Sequence, residues 1–100
     1  MGRCLFVVED TFLIRGRGLV PVPGIIPEGE ERFRVGDRIM LKRPDGSEME
    51  WEIGGLELLC PNPRHDVVIL LKGMSKEDIP IGTEIWSVDR VQSEPARDRR

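Results

Sequence analysis

The clearest periodic stretch of the chain is Glu48-Met49-Glu50-Trp51-Glu52-Ile53, where polar and apolar residues alternate at every position. Successive side chains of a strand point to opposite faces, so this spacing predicts a half-buried strand. Met49, Trp51 and Ile53 face inward and the three glutamates face water. Gly54-Gly55 interrupts the pattern, and Leu56, Leu58 and Cys60 then place the apolar positions on even numbers. A one-residue shift turns over both faces of a strand, so a glycine bulge or corner is expected at residues 54–55.

Other segments give shorter signals of the same kind. Residues 4–14 are rich in Val, Leu, Ile and Phe without Gly or Pro, and read as one strand broken or bulged near Glu9-Asp10. Gly16-Arg17-Gly18 punctuates the chain before a second strand at 19–26, which Pro21 and Pro23 push toward a sheet edge. Residues 27–34 are a polar excursion from which Phe33 packs back onto the body. Val35-Gly36-Asp37 is a turn, 38–42 a short strand and Pro44-Asp45-Gly46 a second turn. Pro61 to His65 is a loop, and Asp66 to Leu71 reads as a central strand by its unbroken apolar run. Ser75-Lys76-Glu77-Asp78 has the form of a capping box, with room for one turn before Pro80. The last strand is 84–88, where Trp86, like Trp51, falls on inward parity.

Six short strands, Gly- and Pro-rich turns and no amphipathic helix predict an all-β domain. Its simplest form is a small closed six-stranded antiparallel β-barrel, which leaves no exposed edge. The domain spans residues 1–90, and the polar segment 91–100 reads as a frayed tail.

Composition narrows the function. The chain has 100 residues, one ordinary domain, with 39% hydrophobic and 33% charged residues. Fifteen Lys and Arg against 18 Asp and Glu give a formal charge of −3, which disfavours nonspecific binding of duplex DNA. No apolar stretch approaches the ~20 residues that cross a bilayer. The opening Met1 to Val8 is too short for a usual secretion signal. Two cysteines, Cys4 and Cys60, make no disulfide framework, and a cytoplasmic protein with reduced thiols is expected.

Candidate chemistry is sparse. Gly16-Arg17-Gly18 lacks the lysine and hydroxyl of a phosphate-binding loop. Cys4, Cys60 and His65 have no metal-ligand spacing, and His65 has no nucleophile in a recognisable motif beside it. The Glu48/Glu50/Glu52 stripe reads as a solvated face, whereas Glu9-Asp10 interrupts the most apolar strand at a bulge or a binding rim. Arg15, Arg17 and Arg34 with Phe12 form a weak basic-aromatic pattern of the kind that binds single-stranded nucleic acid. No enzyme, cofactor or metal is expected.

Four blocks then share one resemblance. They are Val8-Glu9-Asp10-Thr11-Phe12-Leu13-Ile14-Arg15-Gly16-Arg17-Gly18, Val35-Gly36-Asp37, Gly54-Gly55-Leu56-Glu57-Leu58, and Leu70 through Gly82 with its Lys72-Gly73-Met74 and Ile79-Pro80-Ile81. In order and spacing the chain, from residue 4 to 89, resembles the second domain of translation elongation factor Tu and its relatives, the β-barrel that follows the GTPase domain. The resemblance implies that barrel fold, packing against a GTPase, and a pocket for the aminoacylated 3′ end of tRNA at Glu9, Asp10, Phe12, Arg17 and Glu57, with Arg15, Leu59 and Asp66 as accessory positions. Leu59 stands where the family has an aromatic, Asp66 where it has asparagine, and Val68 where it has glycine. Without a GTPase domain in the sequence, the expected function is a noncatalytic binding or accessory module for an RNA end or a translation-related protein. The alternatives are a docking subunit of a separate GTPase and a homo-oligomerisation module using the Pro21–Ile26 edge and the 27–34 loop.

Overall fold

A computed structural model describes residues 2–57 and 66–88. The domain is all-β, built from eight short strands: β1 Cys4–Val7, β2 Asp10–Ile14, β3 Gly18–Val22, β4 Arg38–Lys42, β5 Glu48–Glu52, β6 Gly55–Glu57, β7 Val68–Leu70 and β8 Glu84–Ser87. Among the described residues the one helical element is a 3₁₀ turn at Lys76–Asp78, and no helix is long and apolar enough to cross a membrane.

All ladders are antiparallel. They form a four-stranded sheet in the order β1-β8-β4-β5 and two pairs, β2-β3 and β6-β7. Among the described residues no sheet closes on itself. Backbone bonds stitch the three together. Leu19 and Leu71 exchange N–H···O bonds of 3.0 and 2.8 Å, as do Ile25 and Val67 at 2.8 and 2.7 Å. The Gly54 N–H donates to Leu70 O at 2.7 Å, and the Val8 N–H to Thr83 O at 2.8 Å. β3 therefore has neighbours on both sides, so the edge expected at Pro21–Ile26 is bridged rather than open. Pro21 is accommodated opposite Thr11 in the hairpin.

The interruption at residues 9–10 is where the chain leaves one sheet for another, since β1 pairs with β8 and β2 with β3. The core between the sheets is built on the aliphatic residues Leu5, Val8, Leu19, Ile25, Ile39, Leu41, Ile53, Ile69, Leu71, Ile79 and Ile85 together with Phe6 and Met74, with Phe33 and Trp51 packed against them. The half-buried alternation of β5 follows its sequence, with Met49 and Trp51 against the core and Glu48, Glu50 and Glu52 outside.

Ile53 faces the main core, whereas Gly55 and Glu57 lie opposite Leu70 and Val68 on the other face, so the faces turn over at Gly54-Gly55 as the shifted pattern implies. Leu56 lies opposite Ile69 on the core-facing side but is itself exposed. Leu58 and Cys60 lie outside the described residues. One expectation of side-chain direction is corrected: Trp86 lies on the outer face, because Ile85 is fully buried and strand alternation puts its neighbour opposite. The Trp86 ring carries Lys42 Nζ 4.0 Å from its centroid, and its Nε1–H donates to Glu84 at 2.8 Å. Burial raises the pKa of the Cys4 thiol, one strand away on the same face.

The polar excursion is tied down by one arginine. Arg3 donates to both carboxylate oxygens of Glu31, at 2.8 and 2.6 Å, and to the carbonyls of Cys4 and Ile26 at 3.2 Å. The Glu31 carboxylate also accepts the Glu28 N–H at 2.9 Å. First the Arg3 bond and then the Glu28 N–H lower the Glu31 pKa from 4.5 to about 2. A depressed carboxyl contributes stability that is complete above its unfolded value and is lost as pH falls through its folded value. Glu31→Gln is therefore expected to lower stability by about 1 kcal/mol at neutral pH, given the partial exposure of the pair. It should also flatten the loss of stability between pH 4.5 and 2, as measured by urea unfolding at pH 7 and pH 3. An unchanged acid limb would remove the clasp as its cause.

Candidate functional site

The chain builds a second, smaller apolar layer away from the main core. In the β2-β3 hairpin, Asp10 lies opposite Val22, Phe12 opposite Val20 and Ile14 opposite Gly18, and paired residues share a face. In β6-β7, Glu57 lies opposite Val68 and Gly55 opposite Leu70. Carrying the Leu19–Leu71 register onward sets Val20 beside Leu70 and Val22 beside Val68. Val20, Val68 and Leu70 are buried as one cluster with Ile14 and Val22 packed around them. Two rows then run across β2, β3, β7 and β6: Asp10-Val22-Val68-Glu57 and Phe12-Val20-Leu70-Gly55. At the usual strand spacing this face is about 14 Å wide.

Charge lines one margin and an aromatic the other. Arg17, in the β2-β3 turn, reaches across so that its Nη2 lies 2.6 Å from Glu57 Oε2. The Arg17 side chain is 54% exposed and the Glu57 side chain 14%, so the carboxylate is set into the face and the guanidinium covers it. Gly55 makes room beneath them: a Cβ there would stand 3.1 Å from Leu70 Cδ2 and 3.9 Å from Arg17 Nη2. At the far margin Phe12 is 54% exposed. This is a large apolar ring left in water beside an apolar floor. Asp10 takes up the Thr11 N–H at 2.8 Å, which fixes its carboxylate at the start of β2.

The structure thus joins Arg17 and Glu57, places Asp10 and Phe12 on the same face, and uses Glu9 differently. Glu9 is exposed at the break between β1 and β2, where its N–H donates to Val22 O at 2.9 Å. Arg15 is exposed in the hairpin turn. Asp66 is half-buried just before β7, in line with Val68 and Leu70 by alternation. Leu59 and His65 lie outside the described residues. Among the described residues no group of three or more His, Cys, Asp or Glu side chains is gathered as a metal site would require.

The floor itself, Ile14, Val20, Val22, Val68 and Leu70, was not among the residues singled out from sequence. The signal for it was present. Val67 to Leu71 is apolar at every position, and a strand that reads so is covered on both faces. One face of β7 serves the main core through Ile69 and Leu71, and the other serves this layer through Val68 and Leu70.

These features define a small antiparallel β domain that presents an apolar platform bounded by an ion pair and an exposed aromatic. The chain is 31% identical over 86 residues to elongation factor 1-alpha of Pyrobaculum islandicum (strain DSM 4184 / JCM 9189 / GEO3), which supports a translation-elongation-factor-like domain. The match covers 84% of this chain and 19% of that protein, so the chain spans about a fifth of the length of the curated relative. No protein-family model and no solved structure matches the chain.

Proposed function

We propose that the chain is a noncatalytic binding module of the elongation-factor type, and that the face between Phe12 and the Arg17–Glu57 pair receives the aminoacylated end of an RNA. The observation that carries this reading is the Arg17–Glu57 contact at the edge of an apolar floor. Single-stranded ends are recognised by stacking an unpaired base on an aromatic and bonding its edges and ribose to polar groups. Phe12 supplies the ring, the valine-leucine floor suits an acyl group, and Asp10, Arg17 and Glu57 supply acceptors and a donor. The fold belongs to the same proposal. β1 with β2 and β5 with β6 are each one strand bent between sheets, and with β3, β4, β7 and β8 they make the six staves of an elongation-factor barrel. The bridges at Leu19, Ile25, Gly54 and Val8 would be its seams.

Titration with aminoacyl-tRNA and with deacylated tRNA tests the reading. Tighter binding of the acylated form is expected, because only that form places an apolar group on the floor. Equal binding, or none, removes the proposal. The second reading, docking on a separately encoded GTPase, is favoured by Leu13, which is 63% exposed on the reverse of the hairpin from Phe12. On that reading both titrations are flat and the chain co-purifies with a GTPase.

A further inference from the structure

Among the described residues β5 pairs with β4 alone, and the chemistry of its open edge selects what can pair with it. The direction of its backbone groups can be read from both ends. At one end Ser47 O accepts from Arg43 N, and at the other Ile53 exchanges bonds with Gly36 and Asp37, all on the β4 side. Bonding direction alternates along an antiparallel strand. Met49 and Trp51 therefore bond toward β4, and the N–H and C=O groups of Glu48, Glu50 and Glu52 point to the open edge. Gly54 continues that outward series, and its N–H is already taken by Leu70 O at 2.7 Å. The ladder that β7 makes with β6 thus runs out at the point where β5 begins. Beyond Leu71 the chain turns away, held by a bond of 2.9 Å from Trp51 Nε1 to Lys72 O. The space left along the edge is a shallow pocket of about 370 Å³ lined by Arg38, Glu50, Trp51, Glu52, Gly54 and Lys72.

Two other edge strands each carry a cationic side chain on their outer backbone. Arg3 donates to Cys4 O beside β1, and Lys76 Nζ donates to Thr11 O and, at 3.1 Å, to Thr11 Oγ1 beside β2. The β5 edge instead carries three carboxylates on one face. Arg38 pairs with Glu50 at 3.1 Å and with Glu52 at 3.5 Å, Lys72 stands at the Gly54 end, and Lys42 is drawn over Trp86. Glu48 has no ion pair among the described residues. Such an edge repels a second copy of itself, because like charges directly opposite destabilise a strand pair.

We infer that this edge is a docking site for an extended basic segment of a partner protein, which adds a strand antiparallel to β5 and in line with β7. The segment would bear Lys or Arg at alternate positions opposite Glu48 and its two companions, and small apolar residues opposite Met49 and Trp51. Strand addition of this kind takes affinity from main-chain bonds and selectivity from alternate side chains. The site requires neither RNA binding nor barrel closure.

Fluorescence anisotropy with a labelled seven-residue peptide of alternating arginine and valine, on the full chain, tests the inference. The matched glutamate-valine peptide and an arginine-valine peptide N-methylated on one edge are the controls. Three opposed charge pairs set the expected preference for the basic peptide over the acidic one at about tenfold. The amides of Glu48, Glu50 and Glu52 should gain hydrogen-exchange protection, and the N-methylated peptide should lose the binding. Glu48→Lys, an exposed and unpaired position, should shrink the basic preference. Equal affinity for both charges, absence of binding, protection at another edge, or undiminished binding of the N-methylated peptide would each overturn the inference.

Discussion

Replacing Gly18 by alanine is expected to destabilise the chain by about 3 kcal/mol, a large part of the stability of a domain this size. Gly18 has φ +152°, where L side chains rarely sit, and a Cβ there would stand 2.7 Å from Leu71 O. That carbonyl accepts the Leu19 N–H at 3.0 Å, so it cannot move aside without loosening the bridge between the β2-β3 hairpin and β7. The same bridge supports the floor of the candidate site. Gly16, in the same turn, separates the two causes. It has φ +81° but nothing within 4 Å of the place a Cβ would take, so Gly16→Ala should lose only about 1–2 kcal/mol of backbone strain. Urea unfolding of both variants gives the comparison. A loss below that of Gly16→Ala would show that the close approach at Leu71 is not a constraint.

The second large effect concerns binding. If the proposed function holds, Phe12→Ala is expected to weaken binding of aminoacyl-tRNA about tenfold, in the range that one base stacked on an aromatic contributes. The ring is 54% exposed, so the unfolding midpoint should hardly move. Affinity and stability thereby separate a binding ring from a packing ring. Unchanged affinity would take Phe12 out of the site even if RNA binds elsewhere on the domain.

Much of this fold was legible because strands announce themselves when one face is wet. Glu48 to Ile53 is the plain case, and Arg38–Lys42 and the Pro44-Asp45-Gly46 turn lie where composition put them. The break at Glu9 was visible too, since two acids in an apolar run mark a place where a strand cannot continue in one sheet. What was hidden was burial at short strands. Leu56 stands on the Ile69 face, as the shift across Gly54-Gly55 implies, yet it is exposed. Parity within 84–88 places Trp86 inward, but Thr83 and Ile85 fill the inner positions and leave it to cover Lys42.

The candidate site was legible for a different reason. No periodicity links Arg17 to Glu57, which are 40 positions apart (57 − 17) and meet only because β3 and β6 flank β7. Their association came from a resemblance, which carries the result of a fold without its reasons. The floor between them required the opposite step. It follows from β7 being apolar on both faces, which is a property of the residues alone.

The pairing of β1 with β8 has a mechanical meaning. The Ser87 N–H donates to Arg3 O at 2.9 Å, so the two ends of the described β-structure meet at a single spot. A unit with adjoining ends can be spliced into a loop of a larger host without prying that loop apart. The same arrangement means that tension between Arg3 and Ser87 would peel the two strands like a zipper, breaking one bond at a time instead of shearing the whole ladder at once.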